Sequence, residues 1–63
     1  MFTIQYYCPK EAPIWQQLTE GWIFKTPRRF ADFGSAQDAC NDLMWKYHSA
    51  RVINPNGQVV YQL

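Results

Sequence analysis

Two stretches run together in the second half of the chain: Ser35-Ala36-Gln37-Asp38-Ala39-Cys40-Asn41-Asp42-Leu43-Met44-Trp45-Lys46-Tyr47-His48 and Ala50-Arg51-Val52-Ile53-Asn54-Pro55-Asn56-Gly57-Gln58-Val59-Val60-Tyr61. In the first, Ala36, Cys40, Leu43 and Tyr47 recur at steps of four, three and four, with Ala39 beside them, which is one apolar stripe of helical period. Ser35 and Asp38 match a capping box, and Lys46 and His48 fall where cations suit the negative end of a helix. The pattern predicts a helix over about 36–48. The second stretch predicts a hairpin. Pro55 pre-sets the backbone of the turn, and Gly57 supplies the left-handed conformation that a three-residue loop needs. That loop sets Asn54 opposite Gln58, Ile53 opposite Val59, Val52 opposite Val60 and Arg51 opposite Tyr61.

Working outward, Phe2 to Cys8 alternates like a strand, with Phe2, Ile4, Tyr6 and Cys8 on one face, and Pro9 ends it. Trp22-Ile23-Phe24-Lys25-Thr26 reads as a second strand, stopped by Pro27. Ile14 to Leu18 is either a further strand or a helical turn between Pro13 and Gly21; the strand is the favoured reading. Phe30 and Phe33 lie ahead of the helix as anchors for the core. The resulting order, β(β)β-α-β-β, gives an α+β fold. A small antiparallel sheet of three to five strands carries one helix packed on one face, all in a single domain spanning 1–63.

Composition sets the function classes. The 63 residues are 48% hydrophobic and 17% charged, with a net charge of +1, so the chain is too apolar to be disordered. So even a balance counts against a dedicated nucleic-acid binder. The N-terminus has neither the basic region nor the apolar run of a signal peptide, and no stretch is long enough to span a bilayer. A cytoplasmic protein without a membrane partner is the expectation. Cys8 and Cys40 read as two reduced thiols rather than a disulfide framework.

No catalytic constellation emerges. Along a helix, His48 would lie about 12 Å from Cys40, too far for a thiol–imidazole pair. Cys8, Cys40 and His48 lack the count and spacing of a zinc site. Asp38 and Asp42 share a helix face but bring no further oxygen ligands, so they read as a solvated acidic surface. The three glycines are isolated, so none forms a phosphate loop. The expectation is a non-enzymatic chain with no cofactor, no metal and no small-molecule substrate.

The aromatics remain, eleven in all. Phe2, Tyr6, Trp22, Phe24 and Tyr47 have places in the expected core. At 100° per residue Trp45 falls about 180° from Ala36, between Asn41 and Asp42, on the wet face of the helix. Three readings follow: the N-terminal half covers it, a second copy does, or it anchors a protein partner in company with Asn41 and Asp42. The hairpin offers another surface. One helix covers one face of a sheet, leaving Arg51, Ile53, Val59 and Tyr61 either as an exposed patch or closed off by a longer N-terminal loop or by Tyr7 and Leu63. A single-stranded nucleic acid is the alternative partner there. Tyr7 and Tyr61 would stack on bases while Arg51, Lys25, Arg28 and Arg29 meet phosphates.

Ser35, Ala39, Arg51, Val52, Gly57, Val59 and Val60, in a capped helix followed by a strand reading Arg-Val, a glycine turn and Val-Val, give the chain a further likeness. Over about half its length it resembles small phage- and prophage-type accessory proteins. The resemblance implies an accessory or inhibitory protein of a mobile element and carries over no functional residue.

Overall fold

Ile4 and Val52 stand 48 positions apart and face each other across two central strands, and the rest of the fold is arranged around that pairing. The computed structural model describes residues 1–63. Its elements are β1 (Thr3–Tyr7), β2 (Trp15–Gln17), β3 (Thr19–Glu20), β4 (Thr26–Pro27), α1 (Phe33–Leu43), β5 (Ser49–Ile53) and β6 (Val59–Gln62). A four-stranded antiparallel sheet has the order β2-β1-β5-β6, and β3 pairs with β4 in a separate two-stranded ribbon. The fold is α+β, as the element pattern predicts, and residues 15–17 form a strand rather than a helical turn. No helix is long and apolar enough to cross a membrane.

Helix α1 lies across β5 and β1. Ile4, Ala36, Cys40, Ala50 and Val52 are fully buried between them, and Phe30 closes one end. The small side chains of Ala36, Cys40 and Ala50 let helix and sheet approach closely. Burying Ile4 and Val52 stabilises the fold by roughly 1.5–3 kcal/mol each. Burial also raises the pKa of the Cys40 thiol. At the far end Tyr6 stacks on Tyr47 with ring centroids 4.1 Å apart. Burial, chiefly, raises the pKa of the Tyr6 phenol, with the nearby Tyr47, Glu11 and Cys8 adding to it.

Four expectations change in detail. First, the helix spans Phe33–Leu43 rather than 36–48. Asp32, in extended conformation, is the N-cap, and its carboxylate accepts from the Ser35 amide at 3.4 Å, so Ser35 is not the capping residue. The other end stops early because the chain must enter β5 beside β1. The Met44 amide turns back to the Asn41 carbonyl (3.2 Å), and the His48 amide donates to the Tyr7 carbonyl (3.1 Å). Lys46 and His48 therefore follow the helix instead of completing its last turn. Phe33 begins the helix, half-exposed, against Phe2 and Tyr61.

Second, the β5–β6 turn forms as read, with Gly57 at φ +84° and the Asn54 side-chain oxygen accepting from the Asn56 and Gln58 amides. The register beyond it differs. Ile53 faces Val59, but a bulge follows, so Val52 faces Tyr61 and Arg51 faces Gln62. One extra residue moves the following side chains to the opposite face.

Third, Trp22–Thr26 is not a strand. Only Thr26 and Pro27 pair, with Glu20 and Thr19, and residues 21–25 form the tip of the ribbon. Fourth, Trp22 and Phe24 are on the surface rather than in the core.

Candidate binding surfaces

The ribbon tip is a built loop. Gly21 has φ +91°, and a Cβ there would sit 2.6 Å from the Phe24 carbonyl oxygen, so only glycine fits. The ribbon joins the body through the Leu18 amide to the Ile4 carbonyl (2.8 Å), the Arg28 amide to the Leu18 carbonyl (3.0 Å), and paired bonds between Phe2 and Phe30. At its end, three successive side chains reach into solvent: Trp22 is 88% exposed, Ile23 66% and Phe24 84%. Lys25 continues the tip, and Arg28 and Arg29 follow on the returning strand. The Arg28 guanidinium lies 5.0 Å from the centre of the Phe30 ring. Arg29 shares a shallow depression of about 350 Å³ with Glu20, Thr26 and Pro27.

Trp45 is the second surface. It is 94% exposed, so the N-terminal half does not cover it. It projects from the turn after α1, with Met44 exposed beside it in the chain and the exposed Asp38, Asn41 and Asp42 on the last turns of the helix. Asn41 is not free: its side-chain oxygen accepts from the Tyr61 hydroxyl at 2.8 Å.

The third surface is the sheet face away from α1. Because Ala50 and Val52 point under the helix, Ser49, Arg51 and Ile53 point away from it. Gln5 stands opposite Arg51, and Tyr7 and Trp15 are cross-strand partners. The Arg51 guanidinium lies 4.1 Å from the centre of the Trp15 ring, and its Nε donates to Gln5 at 2.8 Å. Tyr7 packs on Trp15 (5.6 Å) and on His48 (6.0 Å).

The sequence patch of Arg51, Ile53, Val59 and Tyr61 is therefore divided. The bulge carries Tyr61 to the helix side, where it meets Phe33 and Asn41, while Arg51 and Ile53 stay on the open face. Arg28 and Arg29 belong to the ribbon. A smaller depression of about 260 Å³ is lined by Cys8, Pro9, Lys10, Lys46 and His48. Cys8 and Cys40 are both free thiols. No group of three or more His, Cys, Asp or Glu side chains is placed to hold a metal ion.

Helical periodicity singles out Trp45, although α1 ends at Leu43 and the residue stands in the turn beyond it, and the same reading misses the ribbon tip. A signal was present: Trp22, Ile23 and Phe24 are consecutive, whereas a strand with one wet face alternates. No protein-family model, curated protein or solved structure matches the chain.

Proposed function

We propose that this chain is a non-enzymatic protein-binding module, an accessory or inhibitor protein of a phage or other mobile element. The observation that carries the reading is the exposure of Trp45 and of the Trp22-Ile23-Phe24 tip on a fold with six buried residues. Large aromatic side chains held in water are costly to solvate and dominate the energetics of interfaces when covered. The mobile-element origin rests on the order of the capped helix and the hairpin.

Replacing Trp45 with alanine tests the module. Partner capture is expected to fall by at least about 30-fold, the scale of a hot-spot residue, with the circular dichroism spectrum unchanged. An unfolded variant, or a folded one that still captures its partner, would sink the reading.

A second reading has one observation in its favour. Tyr7, Trp15 and Arg51 pack together as an aromatic and cationic surface on the open sheet face, the residue types on which unpaired bases stack. Fluorescence anisotropy with DNA and RNA oligonucleotides at low salt separates the two, because nucleic-acid affinity would fall steeply as salt is added.

A further inference from the structure

We propose that the partner of these surfaces is, in the first instance, a second copy of this chain, with the ribbon tip of each copy seated on the Trp45 surface of the other. This rests on the binding-module reading and names its occupant. Three observations converge on it.

The two surfaces are alike in apolar character and opposite in charge. Trp22, Ile23 and Phe24 are followed by Lys25, Arg28 and Arg29, with Glu20 the one acid in the ribbon. Met44 and Trp45 follow a helix face bearing Asp38 and Asp42, one turn apart and both exposed. Lys46, the cation nearest Trp45 in sequence, lies 5.5 Å from the centre of the Tyr47 ring. A basic apolar projection and an acidic apolar surface on one chain are mutually complementary.

Their placement suits reciprocal pairing. The ribbon joins the body where Phe2 and Ile4 bond Phe30 and Leu18, at the start of β1. Trp45 lies at the other end, where His48 bonds Tyr7 at the finish of β1. Two copies laid antiparallel bring each tip to the other's Trp45, so both contacts form together and the pair closes on itself.

The area approaches what a stable pair needs only when both surfaces are covered. Trp22, Phe24 and Trp45 offer roughly 150–250 Å² each, about 450–750 Å² together, before Ile23 and Met44 are added. A stable interface buries about 800 Å² per partner. Neither surface reaches that by itself.

Sedimentation of the purified chain over a range of concentrations tests the proposal. Twice the chain mass is expected at high concentration. Lys25→Glu and Asp42→Lys should each weaken the dimer by about fivefold or more, and the double variant should regain most of the loss, because the reversed charges again face each other. Trp22→Ser and Trp45→Ser should abolish it. A monomer at every concentration up to about 1 mM would overturn the proposal. So would a dimer indifferent to Trp22→Ser and Trp45→Ser, or a double charge variant no better than the singles. These outcomes are separate from failure of the binding-module reading, which is a folded Trp45→Ala protein that still captures a different partner.

Discussion

Ile4 and Ile23 are the same residue in two regions of one small protein, and their fates are opposite. Ile4 is wholly buried, under α1 and between two neighbouring strands. Ile23 sits in the tip of a ribbon with one partner strand and nothing packed over it. The aromatics repeat the contrast: Tyr6 stacks on Tyr47 in the body, whereas Trp22 and Phe24 on the ribbon touch water. Hydrophobicity alone does not place a side chain. What places it is whether its element has neighbours on the correct face.

Truncating the two isoleucines breaks or sharpens this contrast most directly. Ile4→Ala should cost about 2–5 kcal/mol, a large part of the stability of so small a domain, as read by urea unfolding. A variant that unfolds at the wild-type midpoint would erase the difference between the regions. Gly21→Ala should cost about 1–3 kcal/mol, because the added methyl meets the Phe24 carbonyl in a backbone region hostile to L side chains. Thermal unfolding that leaves this variant unchanged would mean the ribbon tip is not held in the conformation described. The smallest effect belongs to Ile23→Ala, within about 0.5 kcal/mol of the parent protein in the same urea experiment at a concentration where the chain is monomeric. A loss approaching that of Ile4→Ala would place Ile23 in a core after all.

The helix and the terminal hairpin were legible for local reasons. The stripe of Ala36, Cys40 and Leu43 needs only a 3.6-residue period, and Gly57 needs only its own backbone freedom. The helix start differs because Ser35 matches a capping box in the sequence, whereas Asp32, an equally good cap, is the residue that holds the position. The Phe2–Phe30 pairing fixes where the chain arrives, and Asp32 then holds the extended conformation a cap requires. The early helix end likewise answers to the His48–Tyr7 bond, not to any residue in the last turn.

The candidate surfaces divide in the same way. Trp45 is exposed, as its angle on a helix over 36–48 predicts, but for a different reason: α1 ends at Leu43 and Trp45 projects from the turn that follows. Tyr61 was misplaced because a single bulged residue reverses the faces beyond it. The ribbon tip escapes the sequence because Trp22-Ile23-Phe24 reads as a strand by composition, although its run of consecutive apolar side chains does not alternate.

The sequence by itself determined the α+β class, the helical stripe and the glycine turn at 57. These follow from periodicity and backbone sterics acting over a few residues. Tertiary structure alone decided where the helix begins and ends, which face Tyr61 takes, and that Trp22 and Phe24 stand in water. Those outcomes turn on pairings such as Ile4 with Val52 and Phe2 with Phe30. Such contacts join residues distant in the chain, and their register is set only when the sheet assembles.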